Sequence, residues 1–213
     1  AGLRGVLGAG SNRMNIYVVR QATQGLANWV KTQGGNQLVA ISYDSRINSD
    51  VFAKTAACVL AANGIKVRIY DALMPVPALS FATRYYEANA GIMVTASHNP
   101  AKYNGYKAYG PDGCQLTLEA AEYVLSIMNK VDIFDGVKSV DFDAAVKEGK
   151  IEYITQDAIE CYLDEVQKCS VADKDLDLSD LKVIYTPIHG SGNKPVRAIL
   201  KRIGIENVTV VKE

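Results

Sequence analysis

Residues 38–46 read LVAISYDSR, a short apolar run that passes directly into three polar residues. The run is too short for a helix, and because it is mostly apolar, without strict alternation, it predicts a strand that is buried on both faces. A helical stretch follows from about Asp50 to Ala62 and ends before Gly64. These residues therefore predict a unit of one strand, one polar loop and one helix.

The same order repeats along the chain. Residues 65–70 and 91–95 form a second and a third apolar run, and a helix is predicted between them over 79–88, after a loop that contains Pro75 and Pro77. Apolar strands that alternate with helices indicate an α/β fold, with a mixed, mainly parallel sheet covered by helices on both faces. Ligands bind such sheets at the carboxyl ends of the strands. We therefore expect the functional residues in the loops after Tyr43 and Thr95.

More helices are predicted on either side of this region. Apolar residues at helical spacing predict an amphipathic helix over 16–30 as the first element, and others over 118–128 and 159–169. An acidic segment, 173–180, is interpreted as a link to a β-α-β unit with strands at 181–186 and 208–211 and a helix at 195–203.

This order of elements predicts two domains. We place the first at residues 1–155, and a linker helix with an incomplete second domain at 156–213. One crossover unit cannot bury both faces of a parallel sheet, so the second domain is expected to need more residues than this chain supplies. We therefore expect the chain to be the N-terminal part of a longer protein.

The composition excludes several classes of function. Lys plus Arg and Asp plus Glu number 23 each, so no overall charge attracts nucleic acid or an anionic membrane. No stretch approaches the ~20 apolar residues of a membrane span, and the first residues lack the apolar core of a secretion signal. The four cysteines form no C-x-x-C pair and lie mostly in apolar stretches, which is typical of buried free thiols. We expect a cytoplasmic protein; the sequence leaves its oligomeric state open.

The loop after the third strand, TASHNP at 95–100, carries the most unusual residues. A serine hydroxyl is a poor nucleophile that needs a base, a metal or an electropositive pocket, and His98 directly follows Ser97. Phosphoserine would carry about −1.5 to −2 charges and would need cationic or N–H partners. Four basic residues in predicted loops are candidates: Arg4, Arg13, Arg46 and Lys107. A serine hydrolase elbow requires G-x-S-x-G, and both glycines are absent from TASHN.

TASHNP, followed by YNGYK at 103–107, resembles the active-site signature of the α-D-phosphohexomutases. GLRG at 2–5, GSNRMN at 10–15 and DSR at 44–46 are similar to other segments of that family, in the same order. NRMN and residues 185–194 lean toward its bacterial phosphoglucomutase and phosphopentomutase branch. The resemblance spans essentially the whole chain.

The resemblance implies a mechanism. Phospho-Ser97 would give its phosphoryl group to a sugar monophosphate, and the resulting bisphosphate would turn around and return its other phosphate to Ser97. His98 and Lys107 are the implied proton carriers, with Lys107 the preferred acid/base. The expected substrate is glucose 1-phosphate or glucose 6-phosphate, with Mg²⁺ as cofactor and a sugar 1,6-bisphosphate as intermediate and activator. Pentose phosphates with the same chemistry, and a non-catalytic phosphate-binding module, stay open as alternatives.

The resemblance also implies binding roles. Arg4 would contact the phosphoserine region, and Arg13 and Arg46 would steer phosphate or hold the serine loop. Asn99 and His189 are further candidates for phosphate or substrate binding, although the glycines beside His189 fit a tight turn equally well.

Ser97, through its phosphate, is the implied metal ligand in this chain. The family's metal loop has the form D-G-D-x-D-R after a later strand, whereas the D-x-D-x-D spacing at 173–177 has Lys174 and Leu178 at the deciding positions and precedes a strand. It is interpreted as an acidic linker. The aspartate ligands, the sugar loop and the distal phosphate-binding domain are expected beyond this chain, so the chain alone is expected to be inactive.

Overall fold

The computed structural model describes residues 2–172 and 176–212. In this part of the chain six strands form the main sheet: β1 (Gly2–Val6), β2 (Leu38–Tyr43), β3 (Lys66–Ile69), β4 (Ala90–Val94), β5 (Tyr103–Tyr109) and β6 (Ile151–Tyr153). They lie in the order β1-β5-β4-β2-β3-β6. The pairs β2–β3, β2–β4 and β3–β6 are parallel, and β5 is antiparallel to both β1 and β4. The predicted α/β fold with a mixed, mainly parallel sheet is confirmed.

Helices cover both faces of this sheet. On one face lie α1 (Ile16–Val30), α2 (Ser49–Ala62) and α5 (Phe142–Lys147), with α4 (Leu118–Met128) packed on α1. On the other lie α3 (Val76–Tyr85) and α6 (Gln156–Lys168). Leu26, Ile41 and Leu60 are almost fully buried in the first core, and burial of each such side chain contributes about 1.5–3 kcal/mol. The two cores fix the sheet and with it the loops at its edge.

A smaller unit follows α6. It consists of β7 (Lys182–Tyr185), α7 (Asn193–Arg202) and β8 (Asn207–Val210), and its two strands pair in parallel. Arg202 joins α7 to α6, because its guanidinium contacts Asp164 at 2.5 Å and also Glu160. The predicted β-α-β order is present. Of the acidic segment before it, Asp173, Lys174 and Asp175 lie outside the described residues.

Two predicted loops are strands. β1 precedes α1, so the helix is not the first element, and Arg4 and Lys107 lie in β1 and β5 rather than in loops. GLRGV and YNGYKAY mix glycine and polar residues with apolar ones, and neither contains a continuous apolar run. The two segments pair with each other, Gly2 opposite Lys107 and Val6 opposite Tyr103. Their strand structure therefore comes from this pairing and not from a local apolar pattern.

The helix predicted over 79–88 is displaced by three residues, since α3 runs from Val76 to Tyr85. Pro77 lies in the first turn of α3, where a missing backbone N–H costs no helical hydrogen bond. The proline therefore begins this helix instead of preceding it.

The expectation of buried thiols was wrong for most of the cysteines. All four are free, but only Cys58 is buried, Cys161 is half-buried, and Cys114 and Cys169 are exposed. Among the described residues, none of the helices combines the length and the apolar character that crossing a membrane requires.

Candidate active site

The loops after β2, β4 and β7 meet at one edge of the molecule and line a cavity of about 800 Å³. Residues 44–47, the serine loop (residues 95–102) and the histidine loop (residues 186–192) contribute most of its wall. The chain leaves β2 for β3 on one side and later returns to β4 on the other, so this is a point where the strand order reverses. Such points form crevices at the carboxyl ends of strands.

Ser97 is exposed in this cavity and has an unusual backbone conformation. Its φ is +55°, in the left-handed region that few non-glycine residues adopt. The Ser97 N–H donates to Thr95 Oγ1 at 2.9 Å, which ties the turn to the end of β4. Ser97 Oγ lies 3.1 Å from His98 Nδ1. In the tautomer with an unprotonated Nδ1, His98 accepts a hydrogen bond from the serine hydroxyl.

Arg46 holds the serine loop through its backbone. Its Nη2 donates to the carbonyls of Ser97 at 2.5 Å and Asn99 at 2.7 Å, and its Nη1 donates to those of Tyr103 at 3.0 Å and Pro100 at 3.2 Å. Its Nε lies 3.5 Å from Asp44 Oδ2. The planar guanidinium thus has four carbonyl partners and one carboxylate, an arrangement that a lysine ammonium cannot reproduce.

Asp44 and Asn104 are structural supports that the sequence patterns do not predict. Asp44 Oδ1 accepts from the Arg46 N–H at 3.1 Å and from Ser49 Oγ at 2.8 Å. Asn104 is fully buried, and its Nδ2 donates to the Ile47 carbonyl at 2.9 Å and to Ser49 Oγ at 3.0 Å. Together they fasten the loop after β2 to β5. The only signal in the sequence was their position, Asp44 directly after a strand and Asn104 within YNGYK.

The other predicted arginines lie in different places. Arg4 Nη1 donates to Asn99 Oδ1 at 2.9 Å, so Arg4 reaches the serine loop from β1 and Asn99 is held by it. Arg13 is exposed and lines, together with Arg4, a separate cavity of about 250 Å³. Arg46 and Asn99 thus line the cavity with Ser97, and Arg4 reaches it through Asn99, whereas Arg13, which like Arg4 is outside the cavity wall, has no such contact among those described.

Lys107 and His189 approach the cavity differently. Lys107 is half-buried and lies directly across from Met93, which lines the cavity, so the two side chains share a face of the sheet. Lys107 itself is not part of the cavity wall. His189 lines the cavity, and its backbone carbonyl accepts a hydrogen bond from Ser45 Oγ.

The described residues contain no group of three or more His, Cys, Asp or Glu side chains placed to hold a metal ion. In the cavity wall, Asp44 contacts Arg46 and Ser49. The arrangement therefore offers a hydroxyl nucleophile, an adjacent imidazole and a loop held in place by hydrogen bonds. Phosphorylation of Ser97 would add phosphate oxygens that could bind a cation.

Comparison with known proteins identifies relatives of this chain. Residues 1–133 match the model of the family described as phosphoglucomutase/phosphomannomutase, alpha/beta/alpha domain I. The phosphoglucomutase of Staphylococcus haemolyticus is 37% identical over 100% of this chain, which spans 38% of that relative's length. The phosphoribomutase of Saccharomyces cerevisiae is 36% identical over 95% of the chain, which spans 34% of its length.

Solved structures have the same fold. A structure from Thermus thermophilus has a TM-score of 0.78 and 26% identity over 99% of this chain, and 44% of that chain is covered. A phosphoglucomutase/phosphomannomutase family protein from Burkholderia thailandensis has a TM-score of 0.70 and 21% identity, with 99% of this chain and 42% of that chain covered. At this identity the second likeness bears on the fold alone.

Proposed function

The chain belongs to the phosphoglucomutase/phosphomannomutase family, and we propose that the complete gene product is a phosphoglucomutase that interconverts glucose 1-phosphate and glucose 6-phosphate. Ser97 is the phosphate carrier. The observation that carries the proposal is the exposed Ser97 hydroxyl, 3.1 Å from His98 Nδ1 on a loop fixed by Arg46. The relative from Staphylococcus haemolyticus, named a phosphoglucomutase, supports the choice of sugar.

The reaction has two mirrored halves. In the first, the bond between phosphorus and Ser97 Oγ breaks, and a new bond forms between phosphorus and the free hydroxyl of the sugar monophosphate. His98 returns a proton to Oγ while Lys107 takes the proton of the sugar hydroxyl. After the bisphosphate has turned around, its other phosphoryl group moves to Oγ, His98 takes the serine proton and Lys107 returns its proton to the sugar oxygen. Such transfers depend chiefly on positioning and electrostatics.

The contacts around Ser97 support the roles of His98, Arg46 and Arg4, whereas the role of Lys107 rests on the family resemblance. The 3.1 Å separation from His98 is within reach of direct proton transfer. Arg46 and Arg4 place positive charge beside the phosphate, Arg46 through the Ser97 and Asn99 carbonyls and Arg4 through the Asn99 side chain. His189 lines the same cavity and is proposed to contact the sugar phosphate, and Arg13, beside Arg4, to steer it inward.

We further propose Mg²⁺ as cofactor and a sugar 1,6-bisphosphate as intermediate and activator. Phospho-Ser97 would supply one oxygen ligand to the ion. The described residues contain no cluster of further acidic ligands around it, so they do not form a magnesium site by themselves. A cytoplasmic location fits a protein that uses sugar phosphates and carries four free cysteines.

The test is a comparison of the complete wild-type gene product with its Ser97→Ala variant, with glucose 6-phosphate formation from glucose 1-phosphate as the readout. We expect turnover in the wild type and none in the variant. Turnover of the variant at the wild-type rate would overturn the assignment of Ser97. A wild type that binds sugar phosphate but never turns it over would indicate a binding module instead.

A pentose phosphate is the second candidate substrate, and the 36% identical phosphoribomutase favours it. The chemistry at Ser97 would be the same. Because the sugar is distinguished by differential binding in the transition state, kcat/KM for ribose 1-phosphate against glucose 1-phosphate decides between them. A higher value for the pentose would replace the hexose assignment.

A further inference from the structure

Ser45 connects two parts of the molecule that are far apart in sequence. It lies on the loop after β2, and its hydroxyl donates to the backbone carbonyl of His189 in the histidine loop. The two residues are separated by 144 positions. The contact therefore joins the β7–α7–β8 unit to the main sheet at the edge where Ser97 is exposed.

The histidine loop has a backbone that needs such support. Ile188 and His189 have φ values of +46° and +55°, and two consecutive non-glycine residues in the left-handed region are energetically costly. Within the loop, the Gly190 N–H donates to the Pro187 carbonyl at 2.8 Å. The Ser45 hydroxyl adds a contact from outside the loop, directly at His189.

The contact also lies at the boundary between two cavities. Ser45, Gly190 and Ser191 line both the cavity of Ser97, about 800 Å³, and a neighbouring cavity of about 610 Å³. His189 and Ile188 line only the first of these, and Lys194 and Arg197 only the second. Movement of the histidine loop away from Ser45 would open the Ser97 cavity toward its neighbour.

We propose that Ser45 is a positioning residue: it holds the histidine loop in place as the wall of the Ser97 cavity, so that a sugar phosphate is kept beside the phosphate carrier. This role in turnover rests on the proposed function, whereas the restraint on the loop does not. Ser45 acts through the His189 carbonyl and takes no part in the transfer of the phosphoryl group or of protons.

The experiment uses the complete gene product with Ser45→Ala, Ser45→Thr and, as a matched control, Ser126→Ala. Ser126 also donates its hydroxyl to a backbone carbonyl, that of Tyr123, but it lies on α4, where its side chain is exposed. Ser45 is exposed, so the threonine methyl has room and the hydroxyl is kept. Three quantities are measured: amide hydrogen exchange of residues 186–193, and both kcat and KM for glucose 1-phosphate.

Ser45→Ala is expected to accelerate exchange in residues 186–193 and to raise KM roughly 2- to 10-fold, the equivalent of one hydrogen bond, with kcat changed less. Ser45→Thr is expected to keep hydrogen exchange and KM at the wild-type values, and so is Ser126→Ala. Exchange at the wild-type rate in Ser45→Ala, or loss of kcat without a rise in KM, would overturn the proposal. If the wild type has no mutase activity, the proposed function fails, and the exchange measurement still decides whether Ser45 restrains the loop.

Discussion

The guanidinium of Arg46 donates a hydrogen bond of 2.5 Å to the backbone carbonyl of Ser97. Arg46, in the loop after β2, thereby sets the position of Ser97, in the loop after β4. Ser97 is the residue that we propose carries the phosphate. The same side chain reaches three further carbonyls of the serine loop and its end, so the loop is fixed at several points at once. The position of Ser97 therefore depends on the shape of this one side chain as well as on its charge.

In the complete gene product, Arg46→Lys is expected to lower kcat/KM for glucose 1-phosphate by about 10²-fold. An ammonium cannot reach four carbonyls in one plane, and a misplaced nucleophile reacts more slowly. The charge is conserved, so a purely electrostatic role would leave the rate nearly unchanged. The matched control is Arg84→Lys, at an exposed arginine whose Nε donates to the Ser80 carbonyl within α3. Steady-state kinetics of both variants check the prediction, and equal values for the two would contradict it.

His98→Gln is expected to lower kcat by about 10²-fold or more with a small effect on KM, because the amide keeps hydrogen-bonding capacity but cannot carry the proton. The 3.1 Å contact between Ser97 Oγ and His98 Nδ1 is the basis for this expectation. The measurement is kcat and KM for glucose 1-phosphate over a range of pH. A variant that loses affinity while keeping its kcat would assign His98 to binding instead.

Gly105→Ala is expected to destabilise the protein by about 1–3 kcal/mol, a cost typical of overpacking. A Cβ at Gly105 would lie 2.5 Å from the Thr95 carbonyl oxygen and 2.8 Å from that of Leu3, and both are backbone atoms that cannot turn aside. Gly5→Ala is the control in β1, because its Cβ would meet nothing closer than 3.5 Å. Urea unfolding of both variants checks the difference, and equal stabilities would refute the close approach of β5 to the serine loop.

Tyr106 predicts a loss of stability at alkaline pH. Burial raises the pKa of its phenol well above the ordinary value, and the hydrogen bond from Thr23 opposes this effect only in part. A group whose pKa is raised in the folded state contributes its full share to the free energy of unfolding at pH values below its unfolded pKa, which is near 10 for tyrosine. This contribution is lost as the pH rises toward the folded pKa. Above about pH 10 the free energy of unfolding should therefore fall faster in wild type than in Tyr106→Phe, by roughly 1.4 kcal/mol per pH unit. Parallel curves from denaturation at several pH values would contradict this.

Much of the fold could be predicted from local patterns, and the exceptions share a cause. β2 and α1 have patterns that a short window reveals, a continuous apolar run and an apolar stripe at helical spacing. β1 and β5 are defined by pairing between residues about 100 positions apart, Gly2 with Lys107, and neither segment shows this on its own. Because the sequence does not show this pairing, Arg4 and Lys107 are predicted to lie in loops although they lie in strands.

The candidate site divides in the same way. Ser97 could be located from the sequence because it follows an apolar strand and lies in an uncommon run of polar residues. The partners of Arg46 could not, since they depend on how the loop after β4 folds back over the loop after β2. The contact of Ser45 with His189 joins residues 144 positions apart and depends on where the β7–α7–β8 unit lies. Neither segment alone predicts it.

The proposed function depends on Ser97 carrying the phosphate. The most direct measurement is peptide mass spectrometry of the complete gene product after incubation with glucose 1,6-bisphosphate, for wild type and for Ser97→Ala. In the wild type we expect one phosphoryl group on the peptide that contains Ser97 and its transfer to added glucose 1-phosphate, and in the variant we expect neither event. Phosphate on another residue, or phosphorylation and turnover that persist in Ser97→Ala, would contradict it.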